Sequence, residues 1–346
     1  MKTTRIAING LGRIGRLFLR QIFNNPNLEV VVINDLGDLE NLAYLVKYDT
    51  VYHGFPAEVS AKKDGDKNYL VVNGKDILMI QEKDPAKLPW GALNIDLVVE
   101  STGVYESFEK ANAHILAGAK KVVISAPAKD AEGSAGGKSI LMGINDGELA
   151  NIVLSSNVSC TTNATSPLIA IMNESIGVEK AVLNTIHAYT NTQTMVDSPV
   201  KGSDFRRGRA GAQNIIPSST GAAIAVTRIL KDLTGKFDGL AVRVPVVTGS
   251  LIDLTFISKK PTSTEEIAGI FKKAAADPRW QGILQVSENQ IVSSDIIGSC
   301  CGTIVDLKFM KVVDGNLVKI LSWYDNEWGY VTTLVRHVLK AAESIK

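Results

Sequence analysis

At 346 residues the chain is long for one compact domain and sufficient for two, since domains typically run to about 100–200 residues. Apolar types make up 45% and charged types 21%, a soluble globular balance that excludes a disordered or fibrous chain. Against 37 Lys and Arg stand 36 Asp and Glu, a formal net charge of +1, so coating nucleic acid or an anionic membrane is excluded as the main task. The three cysteines, two of them adjacent at Cys300 and Cys301, argue against a secreted disulfide framework and for a reducing, cytoplasmic location. No run approaches the ~20 apolar residues of a spanning helix. The basic, acid-free first 28 residues superficially suggest a transit peptide, but Gly10, Gly12 and Gly15 give them a more informative reading.

From the start, β-branched runs alternate with helical spacing: Ile6 to Asn9, then Ile14, Leu17, Phe18 and Ile22 on one face, then Val30 to Ile33. This predicts a β-α-β unit. Asp38 reads as the N-cap of a helix through Leu42 and Val46. Further buried strands are predicted at 96–100, 121–125, 140–144 and 152–154, with a helix at 108–117. Continuous apolar strands between helices imply a doubly wound parallel sheet covered on both faces. The polar, glycine-containing stretch 129–138 is the expected disordered piece.

Beyond residue 158 strand-like runs follow one another more closely, at 181–189, 240–247, 251–259, 303–310 and 317–323, with helices at 168–175, 220–232 and 265–276. This predicts an α+β domain with a mostly antiparallel or mixed sheet. The expected division is a Rossmann-type domain over 1–159 and a catalytic domain over 160–325, with the C-terminal helix, 326–346, completing the first.

Strand Ile6–Asn9 leads into Gly10-Leu11-Gly12-Arg13-Ile14-Gly15 and then into the amphipathic helix. In that context G-x-G-x-x-G suits a dinucleotide: the glycines allow the tight turn, the approach of a pyrophosphate and close helix–strand packing, and the helix N-terminus favours the phosphates. Packing alone would also explain glycines there. The second strand favours the ligand, for Asp35 lies 20 residues beyond Gly15, where a carboxylate meets the adenosine ribose and repels a 2′-phosphate. The expected cofactor is therefore NAD rather than NADP. Ser101-Thr102-Gly103 and Ser125-Ala126-Pro127 follow other strands and read either as ligand loops or as ordinary turns.

Ser159-Cys160-Thr161-Thr162-Asn163 stands between a strand and a helix, which puts Cys160 near a helix N-terminus. A helix dipole and a histidinium both stabilise a thiolate, and His187, in the strand opening the second domain, is the partner by context. The plainer reading makes Cys160 a small buried residue and His187 a satisfied core histidine. The hydrophilic neighbours Thr161, Thr162, Asn163 and Thr165 favour a nucleophile. Cys300-Cys301 reads as structural. No metal-ligand set is read.

These residues sit in longer motifs: I-N-G-L-G-R-I-G-R at 8–16, S-N-V-S-C-T-T-N at 156–163, T-I-H-A-Y-T at 185–190, R-R-G-R-A-G-A-Q-N-I-I-P at 206–217, S-T-G-A-A at 219–223, A-V-R-V-P at 241–245 and W-Y-D-N-E-W-G-Y at 323–330. By them the chain resembles the phosphorylating (type I) glyceraldehyde-3-phosphate dehydrogenases from end to end. The related erythrose-4-phosphate dehydrogenases share the cysteine and histidine but differ at the later motifs; a cysteine hydrolase or acyltransferase is the reading from another enzyme class, and a non-catalytic binding protein a third.

The resemblance implies oxidation of glyceraldehyde 3-phosphate with NAD and inorganic phosphate, through a Cys160 thiohemiacetal and thioester with His187 as base. It assigns the substrate's C3 phosphate to Thr190, Thr192 and Arg243, and the attacking phosphate to Ser159, Thr161, Arg207, Thr220 and Gly221. It assigns the nicotinamide carboxamide to Asn326 with Tyr330 nearby, and the pyrophosphate to backbone N–H groups of Arg13 and Ile14; Ser125 is a further cofactor candidate. A homotetramer is implied, with the loop 197–213 reaching a neighbour. Departures are Ala164 in place of a frequent second cysteine, Ile224 in place of a frequent lysine, a slightly expanded 201–204, and no acidic cysteine-bearing tail.

Overall fold

The computed structural model describes residues 3–345. The chain divides into two compact units: one runs to Val158 and takes in the chain from Val331 onward, and the other is Ser159–Tyr330.

In the first unit β1 (Thr4–Asn9) leads through the glycine turn to α1 (Arg13–Ile22), β2 (Leu28–Asn34) and α2 (Leu39–Lys47). Asp38 caps α2 as expected, its side chain accepting from the Asn41 N–H. Then come β3 (Val59–Asp64), β4 (Lys67–Val72), β5 (Lys75–Ile80), β6 (Leu97–Glu100), α3 (Phe108–Leu116), β7 (Lys121–Ile124), β8 (Lys138–Ser139) and β9 (Leu154–Ser156). The nine strands run β3-β4-β5-β2-β1-β6-β7-β9-β8. From β5 to β8 all pairings are parallel, with β3 and β4 antiparallel at one edge. Every residue of β6 and β7 is buried, as a sheet covered on both faces requires.

Three differences from the sequence reading have local causes. The meander β3–β5 was not anticipated because its residues are lysine-rich and half exposed, yet its second turn is Asn73-Gly74, both at positive φ, a standard hairpin signal. The strand expected at 140–144 is a turn: Asn145 accepts from the Leu141 N–H and donates to the Ser139 carbonyl, and Gly143 has φ +81°. The stretch 129–138 is folded back on acid side chains. Asp130 accepts from the first N–H groups of α3, Phe108 and Glu109, and Glu132 holds Ser139.

The second unit begins with α4 (Cys160–Ser175) and β10 (Val178–Ala188), followed by β11 (Ile216–Ser219), α5 (Ala222–Thr227), β12 (Phe237–Val244), β13 (Ser250–Ser258), α6 (Thr264–Ala276), β14 (Leu284–Ser287), β15 (Thr303–Asp306), β16 (Lys311–Val313) and β17 (Leu317–Tyr324). Its sheet runs β11-β12-β10-β13-β17-β15-β14, with β16 on β17. It is mixed: β10/β12 and β14/β15 are parallel, the rest antiparallel. Alternate residues of β13 are buried, the pattern of a sheet with one covered face. Here α5 is shorter than the helix expected over 220–232, and α4 starts eight residues before the expected 168–175. The last helix, α7 (Trp328–Ala342), starts in the second unit and belongs to the first from Val331. Among the described residues no helix is long and apolar enough to cross a membrane.

Candidate active site

In the first unit the three glycines of the turn are required for different reasons. A Cβ at Gly15 would lie 2.1 Å from the Gly10 carbonyl oxygen, and one at Gly10, whose φ is +95°, would lie 2.7 Å from the Thr102 nitrogen. Both are packing glycines. A Cβ at Gly12 would meet nothing within 4 Å, so packing does not explain it, whereas a backbone kept bare for a ligand does. Gly12 caps α1 without a side-chain cap, so no cap side chain accepts from the first N–H groups of that helix. Arg13 and Ile14 form that turn, with the Arg13 guanidinium turned to Asp49 and over the Tyr52 ring.

Asp35 closes the same site. Its carboxylate accepts from the Leu11 N–H at 2.6 Å and the Gly37 N–H at 2.8 Å, which ties the end of β2 to the glycine turn. Together with Gly10, Gly12, Lys83, Thr102 and Tyr105 it lines a cavity of about 350 Å³. The fold thus brings together the glycines and the acid that sequence spacing paired. Ser125, just past β7, donates its N–H to the Glu100 carbonyl.

In the second unit Cys160 is the first residue of α4, with Ser159 as N-cap accepting from the Thr162 N–H at 3.1 Å. The preceding Val158, β-branched and buried, is held at φ +50°, a strained conformation that persists only where its surroundings enforce it. The residues after Cys160 are polar beyond what a core element is expected to carry. In the structure Thr161, Thr162, Asn163, Thr165 and Ser166 are all buried, and several are satisfied locally: Thr162 bonds the Ser159 hydroxyl and Asn163 donates to the Ser159 carbonyl.

His187, near the end of β10, has Nε2 3.4 Å from the Cys160 Sγ. Its parallel neighbour in register is Arg243 on β12, and the Arg243 Nη1 lies 2.6 Å from the His187 Nδ1 and 3.0 Å from the Ala188 carbonyl oxygen. The guanidinium can only donate and so calls for a bare Nδ1, whereas the Ala188 carbonyl oxygen, 2.6 Å from the same nitrogen, calls for a protonated one; the tautomer therefore follows which of the two Nδ1 keeps. Burial, and then the Arg243 charge, lower the His187 pKa to about 3. Burial pushes the Cys160 thiol up, opposed first by Arg243 and then by Thr161. Burial and Arg243 thus both disfavour a histidinium at His187, and the charge that favours a thiolate at Cys160 is that of Arg243.

A residue that sequence reasoning gave no role completes the pair. The Tyr324 hydroxyl lies 3.0 Å from the Thr161 Oγ1 and 2.8 Å from the Thr185 Oγ1, and its ring stands edge-on to the imidazole at 5.9 Å. It thus fixes the start of α4 against β10. Its signal was its place in the W-Y-D-N-E-W-G-Y run. Asn326 accepts at Oδ1 from the Ser250 hydroxyl at 2.8 Å and the Gly249 N–H at 3.1 Å, an orientation that leaves Nδ2 to donate to a ligand carbonyl. Tyr330 is buried in α7.

The remaining phosphate candidates are dispersed. Thr190 and Thr192 share a hydroxyl contact at 3.0 Å. Arg207 donates to the Ser218 hydroxyl at 3.2 Å and lies 3.8 Å from Asp204. Thr220 accepts from the Ala222 N–H, and Gly221 caps α5. None of these hydrogen-bonds to Cys160 or His187. The adjacent cysteines divide: Cys301 is buried against Ile296 and Ile304 with its thiol pushed up to about 12, whereas Cys300 is exposed.

Comparison with known proteins agrees with both halves. A family model described as glyceraldehyde 3-phosphate dehydrogenase, NAD binding domain, matches residues 4–108, and one described as the C-terminal domain of the same family matches residues 159–326. The chain is similar to glyceraldehyde-3-phosphate dehydrogenases of Streptomyces coelicolor (46% identical over 336 residues, 96% of this chain and 97% of that one) and Clostridium pasteurianum (47% over 337 residues, 96% and 97%). It is similar likewise to that of Geobacillus stearothermophilus (45% over 329 residues, 94% of each).

Proposed function

The chain belongs to the glyceraldehyde-3-phosphate dehydrogenase family, and on that premise we propose how its own residues oxidise glyceraldehyde 3-phosphate to 1,3-bisphosphoglycerate with NAD and inorganic phosphate. The observation that carries the reading is the Cys160–His187–Arg243 cluster, with Sγ 3.4 Å from Nε2 and Nη1 2.6 Å from Nδ1. NAD, when bound, supplies the hydride acceptor; Gly12, Asp35 and Asn326 would hold it.

Cys160 passes its proton to the His187 Nε2, 3.4 Å away, and, with the Arg243 charge offsetting part of the cost of burial, its sulfur attacks the aldehyde carbon to form a thiohemiacetal. The His187 Nε2–H donates to the developing oxygen. Removing hydride from this intermediate requires its hydroxyl proton to go to a base, and Nε2 is such a base only when bare. The substrate's own phosphate supplies the condition. A dianion draws the Arg243 guanidinium into charge-assisted hydrogen bonds, so Nδ1 keeps its proton against the Ala188 carbonyl oxygen, which lies 2.6 Å away, and Nε2, having returned the thiol proton to the thiohemiacetal oxygen, is bare. Nε2 accepts the hydroxyl proton and a thioester is left on Cys160. Inorganic phosphate, held by Arg207 with Thr161, Thr220 and Gly221, attacks the acyl carbon, and the C–S bond breaks with the electron pair returning to sulfur beside the histidine. Thr190 and Thr192 join Arg243 around the C3 phosphate.

Exposed apolar residues in the 195–215 segment, Met195, Val196, Phe205 and Ile215, support burial against another copy in a homotetramer. Three free cysteines accord with a reducing, cytoplasmic setting. The decisive experiment is stoichiometric. With NAD and glyceraldehyde 3-phosphate, NADH should accumulate rapidly only when phosphate or arsenate is added; rates indifferent to both anions would remove the phosphorylating step.

A further inference from the structure

The buried carboxylate of Glu100 has no place in the chemistry above. It ends β6, its side chain is 1% exposed, and no lysine or arginine among the described residues pairs with it. Four donors converge on it instead: the Asn9 Nδ2 at 2.5 Å, the His114 Nε2 at 3.0 Å, and the Thr102 N–H and hydroxyl at 2.8 and 2.5 Å. The Trp90 Nε1–H donates to the His114 Nδ1 at 3.0 Å, so that ring carries its proton on Nε2 and points it at the carboxylate. On the other side the Asn34 Nδ2 donates to the Asn9 Oδ1 at 2.7 Å and to the Glu82 carbonyl, while the Asn34 Oδ1 accepts the Glu82 N–H.

The chain of bonds therefore crosses the ends of β6, β1 and β2 to the segment after β5, and the acceptor-only carboxylate fixes the direction of every amide in it. Four of its members, one at each strand end, are followed in sequence by a residue lining the nucleotide cavity: Asn9 by Gly10, Asn34 by Asp35, Glu82 by Lys83, Glu100 by Ser101. We propose that Glu100 and His114 are positioning residues for NAD, setting through this relay the backbone that receives the adenylate half. A carboxylate suits the task because Asn9 and His114 share one oxygen and the two Thr102 donors share the other, so an isosteric amide, with a single acceptor oxygen, would serve one pair and turn a donor on the other. The inference rests on the cofactor reading above.

The test is titration of the full-length protein with NAD, AMP and nicotinamide mononucleotide. Glu100→Gln and His114→Leu should each weaken NAD and AMP about tenfold, the loss expected for buried donors left unpaired, and leave nicotinamide mononucleotide unchanged. His114→Gln, which offers both a donor and an acceptor, should recover most of the affinity. At saturating NAD, kcat should stay within about twofold while KM for NAD rises, and alkylation of Cys160 without cofactor should keep its wild-type rate. His114→Leu carries the test if Glu100→Gln fails to fold. Wild-type affinity for AMP in a folded variant, or a fall in kcat with KM for NAD unchanged, would overturn the proposal. Failure of the wild-type chain to bind AMP would instead remove the cofactor reading itself.

Discussion

The two sheets put their functional groups in different places. In the parallel sheet the groups assigned to the nucleotide lie just beyond strand ends, Gly10 after β1, Asp35 after β2 and Ser101 after β6, so they depend on backbone path and on what packs beneath. In the mixed sheet the reactive groups are side chains on the elements themselves: His187 and Arg243 are register partners, and Cys160 opens a helix. A parallel ladder aligns strand ends into a receptive edge, whereas neighbouring strands in register bring side chains of one face to within bonding distance. Binding in one unit and chemistry in the other should therefore fail separately when mutated.

The largest separation is expected for Cys160→Ala, which should lower the dehydrogenase rate by at least ~10⁴-fold by removing the nucleophile, with calorimetric NAD affinity little changed. A comparable loss of NAD binding would collapse the distinction. Next comes Arg243→Met, for which kcat/KM with glyceraldehyde 3-phosphate should fall roughly 10²–10³-fold through loss of a charge-assisted contact. With unphosphorylated glyceraldehyde the fall should be under about tenfold, because that substrate has no dianion to hold. Equal losses on the two substrates would make Arg243 a support for the thiolate alone.

Within the nucleotide unit the glycines sharpen the contrast between packing and binding. Gly15→Ala should destabilise the fold by about 2–4 kcal/mol, because backbone must move. Gly12→Ala should leave the melting temperature unchanged or slightly raised while weakening NAD roughly tenfold. Unfolding of Gly12→Ala, or tight NAD binding by it, would show that the cavity beside it is not the pyrophosphate site.

The smallest effect concerns acid. His337 is fully buried, with Ser155 and Asn157 as hydrogen-bond partners, and its pKa is lowered to about 3 by burial and by Lys121. An unfolded histidine titrates near 6.5, so between about pH 6.5 and 3 the unfolded chain takes up the proton. The stabilisation is complete above that window and is lost as pH falls through it, at up to about 1.4 kcal/mol per pH unit. His337→Asn should flatten the dependence of the urea midpoint between pH 7 and 5. His187, lowered for similar reasons, would keep a remaining slope, and no change in slope would mean that His337 is already protonated in the fold.

Much of this was legible in the sequence because it rests on local rules. Glycine spacing, the acid after β2 and the cap at Asp38 depend on neighbours a few residues away. The pairing of Cys160 with His187 was also readable, since few histidines stood in a suitable strand. What was not readable depended on register across the sheet. Nothing in A-V-R-V-P says that Arg243 faces the imidazole; the β10/β12 alignment does. Tyr324 and Glu100 were passed over for the same reason, for each acts by linking elements distant in sequence. The β3–β5 meander was missed because exposed lysines masked its alternation.

The border between the units has a consequence for how the chain can be altered. Multidomain chains usually tolerate insertion best at their borders, where few contacts cross an exposed linker. Here the chain leaves the first unit through buried Asn157 and the left-handed Val158, one residue of cap before the nucleophile, and returns inside the unbroken helix α7. Loop grafts and circular permutations should therefore be better tolerated at the exposed turn Gly65-Asp66 than at the domain boundaries, and fusion engineering guided by domain limits alone would cut this protein where it is least able to yield.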